Sequence, residues 1–541
     1  GWRLGATASG LAPRRLHELL AQHWPLPPVA VAEGGSVDAA LALDGDTGGR
    51  RVEIEVEARG VGFSDSAGLH AAENLGGRLR AGLVRSGAGW DGRVELTLDA
   101  GGTYLDPVFL DLGSAPLSVQ AAGRRAGDAL EVSAFELTHA GIARLHGSLG
   151  ATSRDGSAVL AALEAELVPA AAAPLYRTYL QPFLFGGALG ALDVSGAASA
   201  RLRWRRSSGA ELEVGLDGLD VVDQAGRFAW RGLDGRIAWH ESGASAPVSL
   251  DWTAASLYRL ELGAGRIVGA TAGRDFYLEQ PVTIPTLDGV VEIHALDVRG
   301  LGADALTWEF RGGVRELAMA RLTAALGWPT FGGTVSGRTP RVRFADGVVN
   351  VDGELAVRVF DGEVSIRDLS VRDPLGLAPV LRADVDVEDV SLHALTGAFA
   401  FGNIRGRLSG HVHGLVLQDW RPSAFDASFA TPEDDDSPHR ISQRAVRNLT
   451  RLGGAGAVLS STVLGLFEEF SYRRLGLACR LSGGVCEMRG VAEAEGGGYV
   501  IVEGGGLPPR IDVIGHHRRV DWDVLIARLK SAVDAPAPVV R

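Results

Sequence analysis

Apolar and polar side chains alternate one for one along most of this chain. Val52, Ile54 and Val56 are separated by Glu53 and Glu55, and Leu212, Val214 and Leu216 by Glu213 and Gly215. The same alternation carries Val94, Leu96 and Leu98, then Leu355, Val357 and Val359, then Val385 and Val387 between Asp384, Asp386 and Glu388. Strict alternation gives a strand one apolar and one hydrated face, as in an antiparallel sheet wetted on one side. Val56, Val214, Val357 and Val387 are therefore predicted to point to one interior, and Glu55, Glu213, Arg358 and Asp386 to water. Asp-Gly pairs at 346–347, 352–353 and 361–362 fall at hairpin spacing. Helical periodicity is rare: Pro13–His23, Pro174–Leu184, Glu316–Leu326 and Ser391–Ala400 are the candidates. Glycine-rich strand starts follow three of them, at Val194-Ser195-Gly196, Val335-Ser336-Gly337 and Leu408-Ser409-Gly410.

The pattern is duplicated. At an offset of 158, Glu53–Arg78 aligns with Glu211–Arg236 without a gap, and 11 of the 26 pairs are identical, including Gly60/Gly218, Asp65/Asp223, Gly68/Gly226 and Gly77/Gly235. At an offset of 161, Leu130–Leu137 lies over Val291–Val298 and Ala12-Pro13 over Ala173-Pro174. A repeat of this length implies stacked supersecondary units. The predicted organisation is the end of an upstream unit at 1–11, repeat units at 12–172 and 173–315, and a partial third unit at 316–430. An acidic linker at 431–438 and a C-terminal region at 439–541 follow.

The linker carries Glu433-Asp434-Asp435-Asp436 between Pro432 and Pro438. Like charges and proline disfavour both helix and strand, so an exposed, mobile joint is expected. Arg440–Tyr472 reads as a helical hairpin or broken helix, with Val446, Leu449, Leu452, Val458, Leu459, Val463, Leu466, Phe467 and Phe470 as its apolar positions. Asp521 is expected to cap a last helix bearing Trp522, Leu525, Ile526 and Leu529. The only cysteines, Cys479 and Cys486, lie in a hairpin sequence. A turn at Ser482-Gly483 would set them directly opposite each other, near disulfide reach.

Composition narrows the function. Hydrophobic residues make up 46% and charged residues 22%, which fits a folded chain. The 74 glycines read as turn and bulge positions. A net charge of −13 without a basic stripe argues against nucleic acid as a partner. Lys530 is the sole lysine, which excludes P-loop and Schiff-base chemistry. No apolar run reaches bilayer length. Residue 1 is Gly and falls inside a strand pattern, so an upstream signal or anchor is expected.

Chemistry-bearing clusters are sparse. His411 and His413 share a strand face, but no third ligand follows at suitable spacing, and a solvated face is the simpler reading. His516-His517 precedes Arg518-Arg519 in a polar turn. The acidic run lacks the spacing and turn glycine of an EF-hand loop. No Gly-x-Ser-x-Gly elbow occurs. No catalytic residue, metal site or cofactor is expected, and the chain reads as a non-enzyme.

The helix-then-strands plan, with Gly333-Thr-Val-Ser-Gly337, Gly406-Arg-Leu-Ser-Gly410 and the phrase Val351–Glu363, resembles the AsmA-like superfamily of AsmA, TamB, YhdP and YdbH-type proteins. The resemblance covers roughly residues 12 to 430 in pattern. It implies a mostly β fold, an elongated antiparallel half-pipe or β-taco groove, that carries phospholipid acyl chains between the inner and outer membranes of a Gram-negative envelope. It further implies a periplasmic location, an inner-membrane anchor and an outer-membrane protein or lipoprotein as partner. The groove candidates are Val52, Ile54, Val56, Val94, Leu96, Leu98, Leu212, Val214, Leu216, Ile293, Leu355, Val357, Val359, Val385 and Val387. Alternation alone fits an open trough and a closed sandwich equally well, and a structural or adhesive β-repeat protein is the alternative function.

Overall fold

A computed structural model describes residues 1–22, 29–45, 50–154, 157–303, 305–326, 330, 332–399, 401–452, 468–506 and 511–534. The fold is mostly β, with 67% strand, 11% helix and antiparallel pairing. The chain divides into two compact units. One comprises Gly1–Ala255 and Arg266–Arg274, the other Ser256–Gly265 and Asp275–Arg541. Pairing runs across the expected boundaries at 172/173 and 315/316, because Leu167 lies opposite Ala200 and Val314 opposite Gly337.

The first unit is a meander built of β1 (Trp2–Leu11), β2 (Val29–Val31), β3 (Ser36–Gly45), β4 (Arg50–Asp65), β5 (His70–Ser86), β6 (Gly89–Leu105), β7 (Val108–Asp111) and β8 (Leu117–Ala126). It continues through β9 (Ala129–His139), β10 (Ala143–Arg154), β11 (Ser157–Ala171), β12 (Leu192–Arg205), β13 (Gly209–Asp223), β14 (Phe228–His240) and β15 (Ser245–Trp252). Connections alternate between two rims. One rim has short polar turns, at 87–88, 127–128 and 206–208. The other carries the helix Pro13–Ala21, the β7 excursion and a helical crossover over 172–184.

The duplication is visible residue by residue. Ala58 faces Gly77 as Leu216 faces Gly235, and Val61 faces Leu75 as Leu219 faces Leu233. Gly60 and Gly218 both hold positive φ at a bulge in the strand. Asp65 accepts the N–H of Leu69 at 2.9 Å, and Asp223 accepts that of Arg227 at 2.9 Å, in the equivalent turn. Bulges bend a strand and leave an N–H without a ladder partner. Side chains on the neighbouring strand take several of these up: Asp38 for Gly10 at 2.7 Å, Asp234 for Gly218 at 2.8 Å and Asp384 for Gly414 at 2.6 Å. Two of the Ser-Gly strand starts use their serine in this way. Ser336 Oγ accepts from Glu316 N at 2.9 Å and Ser409 Oγ from Asp389 N at 3.0 Å, both donors at positive φ. In the third, Gly196 must be glycine, because a Cβ there would meet Gly218 O at 2.4 Å.

Helices form at Met319–Leu326 and Leu392–Ala398 in the second unit. Glu316–Ala318 belongs to the preceding strand, Thr307–Ala318, with Leu317 opposite Val335. The predicted turn at Asp361-Gly362 falls one residue earlier, with Phe360 and Asp361 at positive φ and Gly362 starting a strand. Among the described residues of the expected helical hairpin, Gln443–Leu452 is helix. Arg440–Ser442 and Glu469–Ser482 are strands, joined where Ile441 faces Phe470. Val458, Leu459, Val463, Leu466 and Phe467 lie outside the described residues. Asp521 does cap the last helix, Trp522–Asp534, accepting from Val524 N at 3.1 Å.

The cysteines are bonded, with Cα atoms 5.6 Å apart. The hairpin register differs from the expected one. Its turn is Gly483-Gly484, both at positive φ, so Cys486 faces Leu481 and Cys479 faces Met488. The Gly-Gly pair adopts the left-handed turn that hairpins favour, which leaves the cysteines as diagonal neighbours on one face.

The acidic segment is pinned instead of forming a free joint. Strand Arg421–Ala430 pairs with Glu469–Ser482 across it, and Thr431 N donates to Leu475 O at 2.8 Å. Asp435 is buried, accepting from Arg407 N at 2.7 Å and Ser437 N at 2.9 Å and pairing with His439 at 2.9 Å. Burial alone would raise its pKa, but these donors outweigh it and hold the carboxyl at about 2. Its folded value lies below the ordinary ~3.9 of an aspartate. The stabilisation, about 2 kcal/mol, is therefore present above pH 4 and lost as pH falls toward 2. Asp435→Asn should lower urea-unfolding stability by about that amount at pH 7, and the gap to wild type should close in titrations toward pH 2.

Candidate functional site: an open apolar sheet face

Register joins the apolar positions of the first unit into continuous rows. Ala39 faces Val56, Val56 faces Leu79, Leu79 faces Leu96, and Leu96 faces Val119. From there Leu137, Leu145, Leu167, Ala200, Val214, Ile237 and Val248 follow, each directly opposite the next. A parallel row holds Ile54, Ala81, Val94, Ala121, Phe135, Gly147, Ala165, Leu202 and Leu212. Val52, Leu98 and Leu216 extend the face on either side. All nine groove candidates of this unit share this one face.

The opposite face is a ladder of charge. Glu55, Arg80, Glu95, Gln120, Glu136, His146, Glu166, Arg201 and Glu213 are successive cross-strand partners. Arg80 pairs with Glu55 at 3.1 Å and Arg201 with Glu166 at 2.8 Å. The Arg201 guanidinium beside Glu166 holds that carboxyl below the ordinary range.

What covers the apolar face differs from place to place. In the first unit most buried side chains gather at the rim of long connections, around Leu110, Leu112, His139, Tyr176, Leu192 and Phe228, and Val248 at the end of the row is buried as well. There His139 Nδ1 meets Tyr179 Oη at 2.7 Å, and burial lowers the pKa of the imidazole. Away from that rim, Val56, Leu79, Leu96, Val119, Leu137, Leu167, Val214 and Ile237 are only half-buried. No second layer lies over them among the described residues.

In the second unit the same kind of row changes character along its length. Leu355 faces Ile366, which faces Val385, then Val412, Ala427, Cys479 and Met488. Leu355, Ile366, Val385 and Val412 are half-buried, whereas Ala427, Cys479 and Met488 are buried. Cys479 and Met488 belong to a closed core with Ile441, Val446, Leu449, Phe470, Tyr499, Ile501, Val502 and Leu525. Val357 and Val387 are half-buried in the neighbouring row through Val364, and Val359 is buried. Ile293 lies apart from these, between Val282 and Gly312.

The alternation singled out strands with unbroken apolar series and passed over Leu137, Leu145, Leu167, Trp204 and Ile237, in whose series small residues such as Ala143, Gly147, Ala165 and Gly235 take alternate positions. The signal was present, because these residues also recur at every second position.

Among the described residues no group of three or more His, Cys, Asp and Glu could hold a metal ion. His411 and His413 stack at 4.2 Å, and His413 meets Asp386 at 3.2 Å on the polar face. No helix among the described residues is long and apolar enough to cross a membrane. In comparisons with known proteins, no family model, no curated protein and no solved structure matches this chain.

An uncovered face and a closed core respond differently to charge. Val214→Asp should change unfolding stability by under about 1 kcal/mol, because the carboxylate keeps its water. Leu481→Asp, at a fully buried position, should cost more than about 4 kcal/mol or prevent folding. Thermal and urea unfolding of the two variants checks this.

Proposed function

We propose that the apolar sheet face binds the hydrocarbon of lipids and that the protein is a non-catalytic carrier of phospholipid. The observation that carries this is the row of half-buried aliphatic side chains with no second layer over it among the described residues. Water-exposed apolar area is unfavourable by about 25 cal/mol per Å², and patches beyond a few hundred Å² belong to ligand or partner sites. Acyl chains suit such a surface, since they need no hydrogen-bonding partner. Ladder charges on the other face favour a carrier hydrated on its back.

In this reading the chain is a member of the AsmA-like superfamily, working in the periplasm of a Gram-negative bacterium between its two membranes. A membrane anchor on the inner side and an outer-membrane protein or lipoprotein would be its partners. The Cys479–Cys486 bond supports an oxidising compartment.

Purified protein should carry phospholipid visible by native mass spectrometry and solvent extraction, and should move fluorescent phospholipid between vesicles. Val56→Asp with Val214→Asp should abolish both while leaving the circular dichroism spectrum unchanged. Lipid-free wild-type protein that does not accelerate transfer would overturn the proposal and favour a structural or adhesive role.

A further inference from the structure

The apolar face of the first unit ends, at the rim of short turns, in a different kind of row. On β6, Trp90 follows the alternation of Leu96, Val94 and Gly92 and so lies on the apolar face. Its cross-strand partner on β5 is Arg85, and its partner on β8 is Arg125. Arg85 continues the series Leu79, Ala81, Leu83, and Arg125 the series Val119, Ala121, Gly123. Both arginines are thus on the same face as the aliphatic rows, at their edge.

Two features mark this end of the apolar face. First, the Arg85 and Arg125 side chains are exposed and, like those of Arg93 and Arg203 on the polar face, make no hydrogen bond or ion pair among the described residues; unlike that pair, they share their face with the aliphatic rows. Second, the row directly inward, Leu83, Gly92 and Gly123, contains two glycines and is nearly bare. Beyond it lie Ala81, Val94 and Ala121, then Leu79, Leu96 and Val119.

Strands two places apart are separated by about 10 Å, a gap that two long guanidinium side chains can close on one anion. Guanidinium forks match phosphate oxygens in pairs. Tryptophan between them suits the border of hydrocarbon and water.

We infer that Arg85, Trp90 and Arg125 form the seat for the phosphate headgroup of an amphiphile whose hydrocarbon runs inward over Leu83, Gly92 and Gly123. The inference rests on the lipid-carrying reading and adds where the headgroup lies and what charge it bears. Neutral amphiphiles would lie on the same rows without this seat.

The test uses the full chain and two probes that share one tail, palmitoyl lysophosphatidate and monopalmitoylglycerol, below their aggregation limits. Binding is measured by titration calorimetry and native mass spectrometry. Wild type should prefer the phosphate-bearing probe by about tenfold, and inorganic phosphate at equal concentration should not displace it. Arg85→Gln with Arg125→Gln should remove the preference and leave monopalmitoylglycerol binding unchanged. Arg93→Gln with Arg203→Gln, an equal charge change on the polar face, should keep it. Retention of the preference in the first double variant, or equal loss in the second, would overturn the headgroup seat while lipid carrying stands. Displacement by inorganic phosphate would reduce it to an anion site. Failure of wild type to bind either probe would overturn both readings.

Discussion

In an antiparallel sheet, sliding a strand by one residue exchanges its two faces. Register is therefore the constraint on which an uncovered apolar surface depends, because no second layer among the described residues enforces it by packing. Here the other face does the enforcing. Glu55, Arg80 and Glu95, and later Glu166, Arg201 and Glu213, set opposite charges directly across from one another. Each exposed pair contributes only a few tenths of a kcal/mol. A slip would break a whole ladder at once and turn carboxylates onto the aliphatic rows. Bulges with their N–H groups taken up by Asp38, Asp234, Ser336 and Ser409 fix the phase between straight segments.

The same strand pattern meets two fates. Val385 and Cys479 occupy equivalent positions in one row, yet one is half-buried and the other buried. The difference comes from what is added, not from the strands themselves. Around Cys479 a helix from Gln443, a terminal helix from Trp522 and the strand Tyr499–Gly504 supply a second side to the core. Among the described residues nothing comparable lies over Val56 or Val214. This contrast explains why alternation alone left trough and sandwich undecided.

Much of the strand architecture was legible, because period two is a local property. Val52-Glu-Ile-Glu-Val56 has no other economical reading, and the paired Asp65 and Asp223 carried the duplication. Long-range pairing was harder to see. The run Glu433–Asp436 looks like a solvated joint, since nothing nearby in sequence says that Asp435 will find the N–H of Arg407. Phe470 and Tyr472 extend an apparent helical spacing, but Ile441 and Arg440 draw their segment into a strand. In the cysteine hairpin the turn moved by one residue, because Gly483 and Gly484 both accept positive φ more readily than Ser482.

Alternating charges and alternating rims have a consequence for how such a chain can change size. From β4 to its duplicate β13 the sheet passes through β5, β6, β8, β9, β10, β11 and β12, so the two copies are eight strand steps apart, an even number. An odd insertion would send every later turn to the wrong rim and reverse the direction of every later strand. Growth is therefore quantised in hairpins, each adding about 10 Å of sheet. A lineage of such proteins would differ in length by whole numbers of that increment, as a ruler lengthened only by complete divisions.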